Sequence, residues 1–301
     1  MHLQTPADPC IGIVVDNVPC TNPKSAGFVR HIAIDVSNTA LAGSFRPGQA
    51  FGILPPGEDH RGKPHKLRLY STSSPTGGED GSGNIIATSV KRVIDEHWDT
   101  HELFLGVASN YLCDLKVGDE VRVTGPSGKR FVLPENPGEH DYVFFATGTG
   151  IAPFRGMVLD LLRADISSKI VLVMGSPYRT DLLYDKEFRE LEGQHDRFTY
   201  LTAISRENEV DGRGLYVQER IETHPELFRS ILSTDRGLIY VCGIAGMELG
   251  ILKQMTGSLD SETLERYLRT DPEVAGDVDS WTRKMVNRQV KPTRRVFLEV
   301  Y

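Results

Sequence analysis

Cysteine is scarce and scattered. Four residues, Cys10, Cys20, Cys113 and Cys242, occur among 301, with no C-x-x-C pair or other cluster-ligand spacing. That argues against a bound iron–sulfur cluster or a structural zinc, so one-electron chemistry, if present, must use an organic cofactor. Long apolar runs are missing too. No stretch approaches the ~20 residues of a membrane span, and MHLQTPADPC has neither the basic nor the apolar region of a signal peptide. The expectation is an untargeted cytoplasmic protein. Positive charge is in deficit: 34 Lys+Arg against 41 Asp+Glu leave a net charge of −7. This argues against nucleic acid or an anionic membrane as a general partner. No internal repeat or low-complexity tract is visible.

What is present divides in two. Hydrophobic content of 39% and charged content of 25% are ordinary for a globular chain, and 301 residues suffice for two domains. The first ~135 residues read as short strands split by Gly, Pro and Asp turns, among them GFVRHIAIDV, KLRLYSTSS and NIIATSVKRV, with no good helical stretch. This predicts a small antiparallel barrel over residues 1–137. At PENPGEHD the texture changes. Buried runs such as VFFA, IVLVM and LIYVC then alternate with helix-like segments, which predicts a doubly wound parallel α/β domain over 138–301.

Several turns carry chemistry. In ATGTGIAPFRG, Gly148 and Gly150 stand between a strand and a helix, where backbone amides can face a phosphate. The pattern is GxGxxP, ending in Pro153, and the next strand, KIVLVMG, ends without the acid that would bind a ribose 2′-hydroxyl. AISRE after the third strand puts Ser205 and Arg206 at the carboxyl edge of the same sheet. A guanidinium beside a hydroxyl suits a 2′-phosphate, which favours NADP over NAD. In the barrel half, RLYS sends Arg68 and Tyr70 to one side of a strand and Leu69 and Ser71 to the other. A flavin nucleotide bending around the strand end can use all of these, with pyrophosphate on the arginine and ring on the tyrosine.

Taken together, GKPHKLRLYS, GVASNYLCDLKVGDEVRVTGPSGK, ATGTGIAPFRG, LLYDKEF, AISRE, YVCGIAGMELGI and a terminal EVY resemble the plant-type ferredoxin-NADP reductases, in that family's order and nearly end to end. The resemblance implies an FAD-binding barrel, an NADP-binding α/β domain and flavin held between them. It makes Arg68, Tyr70, Ser71, Lys91, Gly106, Val107, Ser109 and Tyr301 FAD contacts. It makes Thr149, Gly150, Pro153, Ser205, Arg206, Arg213, Tyr216, Gly243 and Met247 NADP contacts. Ser71, Cys242, Glu299 and Tyr301 then surround the reactive atoms of nicotinamide and flavin. Departures from the family pattern are Ala108 in GVASN, Asp95 where an adenine-stacking tyrosine is usual, with Trp98 as its candidate replacement, and Gly214 where a second cation is common, with Arg213 alongside.

The activity this implies is hydride transfer between NADP(H) and FAD, with single electrons exchanged between FAD and ferredoxin or flavodoxin by a monomeric enzyme. Two alternatives are the reductase component of a multicomponent oxygenase and a nucleotide-binding protein without turnover. An acidic ferredoxin needs a basic landing surface. Lys63, Lys66, Lys129 and Arg130 are candidates, as are Arg283, Lys284, Arg288 and Lys291 in the 281–301 stretch, which holds six Lys+Arg and one acid. The segment GSLDSETLERYLRTDPEVAGDVDS looks longer than its family counterpart and is expected to be a surface insertion. In RRVFLEVY, period-2 alternation puts Val296, Leu298 and Val300 on one face and Phe297, Glu299 and Tyr301 on the other. The resemblance makes the Tyr301 ring a gate on the flavin, displaced when nicotinamide binds.

Overall fold

The structure is a computed structural model and describes residues 3–209 and 212–301. The chain forms two compact units, Met1–Leu133 with Ala152–Asp160, and Pro134–Ile151 with Leu161–Tyr301.

The strands of the first unit are β1 (Cys10–Pro19), β2 (Val29–Asp35), β3 (Ala50–Ile53), β4 (Arg68–Ser71), β5 (Ile85–Lys91), the hairpin β6 (Ile94–Glu96) and β7 (Leu103–Leu105), and β8 (Glu120–Ser127). Six form one antiparallel sheet in the order β4-β3-β8-β1-β2-β5. Its two outer strands meet. Thr88 Oγ1 donates to Ser71 O at 2.8 Å and Ser73 N–H donates to Ala87 O at 2.7 Å, which closes the sheet on itself. Residues two apart fill the interior, as the pleat requires: Ile32 and Ile34, Phe51 and Ile53, Val121 and Val123 are all buried in one cluster.

One stretch that lacks an obvious helical pattern is nonetheless helical. α1 (Val107–Asp114) buries Ala108 with Leu112 and Ser109 with Cys113, two pairs four residues apart. Its brevity hides the period from a sequence reading.

The second unit runs β9 (Asp141–Thr147), α2 (Ile151–Arg163), β10 (Ile170–Ser176), α3 (Asp185–Gln194), β11 (Phe198–Ile204), α4 (Arg220–Thr223), α5 (Pro225–Leu232), β12 (Gly237–Gly243), α6 (Met247–Ser258), α7 (Ser261–Glu265), β13 (Leu268–Thr270), α8 (Pro272–Ala275), β14 (Val290–Pro292) and β15 (Val296–Val300). The middle of α2 packs with the first unit. A five-stranded parallel sheet has the order β11-β10-β9-β12-β15. Every residue of β10 and β12 is buried, which is why both read as unbroken apolar runs. Strand order reverses between β9 and β12, and ligands of such sheets bind at the carboxyl ends beside that switch.

In β15, Val296, Leu298 and Val300 pack into the sheet's core, while Phe297 stacks on Tyr240 from the other face at 4.3 Å between centroids. The segment expected as a surface insertion folds further than that. β13 and β14 pair, and Leu268, Val274, Trp281 and Val290 form a small core against Leu252 of α6. Trp281 Nε1 donates to Val274 O at 2.8 Å, satisfying the one polar atom of that buried ring.

Candidate functional site

The switch point of the second unit is built by close backbone approach. A Cβ on Gly150 would lie 2.2 Å from Cys242 O, and one on Gly243, whose φ is +141°, would lie 2.2 Å from Thr147 Oγ1. These glycines let the β9 turn press against the end of β12. Gly148, with φ +53°, faces open space and leaves the approach to the turn clear. Thr147 Oγ1 accepts from Ile244 N–H at 2.8 Å and donates to Met247 Sδ at 3.3 Å, tying the two strand ends together. Pro153 sits in the first turn of α2, where its missing N–H has no acceptor to lose.

Tyr301 is fastened here at three points. Its N–H donates to Gly243 O and its carbonyl accepts from Ala245 N–H, both at 3.0 Å, and its hydroxyl lies 2.8 Å from Thr149 Oγ1. The residue is still 64% exposed, while partial burial and its neighbours push the phenol up to about 12. Cys242 pairs in register with Glu299 across β12 and β15. Burial pushes the Cys242 thiol up, so it stays neutral and packs as a small apolar group.

Desolvation also raises the Glu299 carboxyl above its ordinary 4.5. The folded chain therefore holds this proton more tightly than the unfolded chain, and its contribution to stability falls as pH rises from 4.5 through the folded-state value. Glu299→Gln is expected to match wild type at low pH and to gain on it as pH rises across that window. Thermal melts at a series of pH values measure this; a difference independent of pH would contradict it.

Farther along the same carboxyl edge, β11 presents Ser205 half-buried and Arg206 exposed, with Tyr216 62% exposed on the following segment. Among the described residues Arg206 pairs with no acid. Arg213 is held by Glu219, whose other oxygen accepts from Tyr216 N–H at 2.7 Å. The departure at Gly214 has a steric cause: a Cβ there would lie 2.3 Å from Ser205 O. Sequence reading missed what fixes this loop. Glu209, buried, is gripped by Arg179 and Arg220, and Arg220 also donates to Thr202 O.

In the first unit, Arg68 is exposed and its guanidinium donates to Leu67 O at 3.2 Å. Tyr70 is half-buried against the barrel core, and that burial pushes its phenol up to about 12. Ser71 is half-buried, and the next two hydroxyls, Thr72 Oγ1 and Ser73 Oγ, are buried without a partner. Lys91 ends β5, exposed. Gly106, Val107 and Ser109 open α1: Ser109 Oγ accepts from Val93 N–H and donates to Gly106 O, both at 3.2 Å, which sets the helix start beside the β5 exit. The first amides of that helix have no intrahelical acceptor.

The β6–β7 hairpin exposes Ile94, Leu103, Phe104 and Leu105, with Asp95 also on its surface and Trp98 91% exposed. An unpaired guanidinium, an exposed lysine, a helix N-terminus, orphaned hydroxyls and bare aromatic surface are the groups that a dinucleotide engages through phosphates, hydroxyls and rings. The residues fit FAD on the first unit as Ser205, Arg206 and Tyr216 fit a 2′-phosphorylated nucleotide on the second.

A pair that sequence reading overlooked supports the end of β4. Arg155 of α2, 8% exposed, forms two bonds to the Glu79 carboxylate, at 2.6 and 3.2 Å, and donates to Ser73 O at 3.1 Å. The one clue is an arginine inside the apolar run APFRGMVLDLL. Two of the cations considered for a landing surface are neutralised: Arg283 donates to the buried Glu248 at 2.9 Å and Lys291 to Asp271 at 2.6 Å. Lys63, Lys66, Lys129, Arg130, Lys284 and Arg288 are exposed and pair with no acid among the described residues. No helix among the described residues is long and apolar enough to cross a membrane, and no cluster of His, Cys, Asp and Glu there is placed to hold a metal.

Residues 144–253 match the family described as "Oxidoreductase NAD-binding domain". Fold and site thus define an oxidoreductase of the nicotinamide-nucleotide class. The chain is 37% identical over 265 residues to "Ferredoxin--NADP reductase" of Thermosynechococcus vestitus, covering 86% of this chain and 68% of the relative. It is 36% identical over 253 residues to the chloroplastic leaf isozyme 1 of Arabidopsis thaliana, covering 82% and 69%. The chain belongs to the ferredoxin–NADP reductase family. A solved structure of the Plasmodium falciparum ferredoxin-NADP+ reductase shares its fold, with TM-score 0.73 at 21% identity over 99% of this chain and 98% of that one.

Proposed function

We propose that the chain transfers hydride between NADP(H) and FAD and passes single electrons between FAD and ferredoxin or a flavodoxin, acting as a single copy. FAD, when bound, supplies an isoalloxazine ring that exchanges electrons both in pairs and singly, matching a nicotinamide on one side and a one-electron carrier on the other. The observation that carries the reading is one sheet edge that holds both the turn from β9 into α2 and an Arg206, beside Ser205, that pairs with no acid among the described residues. Family membership favours it over the oxygenase-component alternative.

In this reading Arg206 and Ser205 take the 2′-phosphate and Tyr216 lies on the adenine. Thr149 and the turn amides take the pyrophosphate, with Gly150, Pro153, Gly243 and Met247 shaping the turn. Arg68, Lys91 and the start of α1 hold FAD phosphates, Tyr70 and Ser71 meet the flavin ring, and Trp98 covers the adenine that Asp95 cannot stack on. Cys242 packs beside the nicotinamide as a neutral thiol, and Glu299 keeps a proton to higher pH than an ordinary glutamate. The Tyr301 hydroxyl occupies Thr149 Oγ1, so arriving pyrophosphate competes for the hydroxyl that latches the gate.

The direct test is optical. Anaerobic NADPH should bleach the flavin band of the yellow protein quickly and NADH slowly; a purified protein without flavin absorbance would overturn the proposal. Tyr301→Ser is expected to raise NADH kcat/KM about fivefold, because a competing ring stack worth ~1 kcal/mol is gone. Unchanged NADH kinetics would count against the gate. Trp98→Ala is expected to weaken FAD binding about tenfold, a stacked base being worth roughly 1–3 kcal/mol. Fluorescence titration of the apoprotein reads this, and an unaltered Kd would remove Trp98 from the site.

A further inference from the structure

At the opposite edge of the parallel sheet from the switch point lies a cavity of ≈ 560 Å³, lined by Glu265, Arg266, Arg269, Lys291, Arg294 and Arg295 with two neighbouring residues. The extra segment that begins after α6 supplies Glu265, Arg266 and Arg269, and the chain from β14 to β15 supplies the rest. Arg266 and Arg269 flank the start of β13, Lys291 comes from β14, and Arg294 and Arg295 lead into β15. β15 runs parallel to β12 and delivers Tyr301 beside Gly243, whereas Arg295 bonds Asp235 O and Gly237 O at the start of β12. Seven residues of strand separate the two ends, about 20 Å.

The charges here are unequally compensated. Arg266 pairs with Asp235 and Glu262, and Lys291 pairs with Asp271. Arg295 donates to two carbonyl oxygens, Asp235 O at 2.7 Å and Gly237 O at 3.4 Å, and pairs with no acid among the described residues. Arg269 and Arg294 are exposed and pair with no acid among the described residues. Arg269, Arg294 and Arg295, none of them paired with an acid among the described residues, thus line a concavity whose lining contains a single acid, Glu265. Concentrating like charge in this way is unfavourable unless an anion offsets it. The volume is that of a small-molecule site, and guanidinium forks match phosphate oxygens two at a time.

We propose that this cavity is a second anion site, separate from the dinucleotide sites, and that it takes a small molecule bearing several phosphate groups. Arg269 and Arg294 supply free forks, Arg295 a fork fixed by the backbone, and the Trp281-centred core keeps β13 and β14 in place beneath them. A nucleoside triphosphate and an inorganic polyphosphate share this chemistry. The site lies too far along the sheet for its ligand to touch Thr149 or Tyr301, so it is not an extension of the pyrophosphate turn.

Calorimetric titration of the FAD-loaded protein with tripolyphosphate, and separately with ATP, tests the proposal. Saturable binding is expected in wild type and in Arg206→Ala, which lacks the 2′-phosphate seat. Arg269→Ser/Arg294→Ser should bind at least about tenfold more weakly, and Arg269→Lys/Arg294→Lys should recover part of the loss. Tighter binding of ATP identifies a nucleotide as the ligand, and equal or tighter binding of tripolyphosphate an inorganic chain. The exposed positions leave the fold intact, which retained flavin and unchanged NADPH bleaching in the double variant confirm. No saturable binding to wild type, or wild-type affinity in Arg269→Ser/Arg294→Ser, would overturn the site.

Discussion

Arg155→Ala should lower the melting temperature by about 6 °C or more and speed the loss of flavin. Its guanidinium holds Glu79 with two bonds and Ser73 O with a third, and the two side chains are only 10% and 22% exposed. Removing the cation leaves a largely enclosed carboxylate unpaired, which costs roughly 3 kcal/mol, and each kcal/mol lowers Tm by about 2–4 °C in a chain of this size class. The bond to Ser73 O also anchors the strand end just past Arg68, Tyr70 and Ser71, so the seat proposed for the flavin loosens with it. Glu79→Ala alone is expected to be milder, and Glu79→Ala/Arg155→Ala less harmful than the two losses summed, because the double variant strands no charge. Additive losses, or a melting temperature within about 1 °C of wild type, would show that the pair does not support the barrel.

Arg206→Ala should raise the KM for NADPH about thirtyfold, leave kcat nearly unchanged and leave NADH kinetics untouched. A hydrogen bond to a charged group is worth about 1.5–3 kcal/mol, and 2 kcal/mol corresponds to roughly thirtyfold. The effect is large because no neighbour substitutes. Arg213 is engaged by Glu219, and Gly214 beside it is kept small by Ser205 O. The split between KM and kcat distinguishes binding of the 2′-phosphate from a disturbance of the reacting rings. Equal losses with NADPH and NADH would mean that Arg206 supports the loop instead of reading the phosphate.

The two sheets were legible because their periodicities differ. Val121 and Val123 alternate with the exposed Glu120 and Arg122 in a barrel strand, whereas VFFA and LIYVC are apolar throughout because both faces of a parallel sheet are covered. The turns proposed to take the nucleotide could be located in the sequence because glycine, arginine and serine stand at strand ends there. Other features escaped. α1 is too short to reveal its period. Arg155 reads as one charge in an apolar helix, since its partner Glu79 is 76 residues away in sequence. The extra segment after α6 reads as polar surface because its core needs only Leu268, Val274, Trp281 and Val290, spread over 23 positions and closed by tertiary contact with Leu252.

In the proposed activity, electrons pass from NADPH through FAD to a small one-electron carrier protein. Cytochrome c reduction by the purified protein, measured with NADPH and then NADH, with and without added ferredoxin, tests it most directly. A slow rate without ferredoxin, a strong increase when ferredoxin is added, and a clear preference for NADPH are expected. A rate that ferredoxin does not change, or that is equal with NADH, would contradict it.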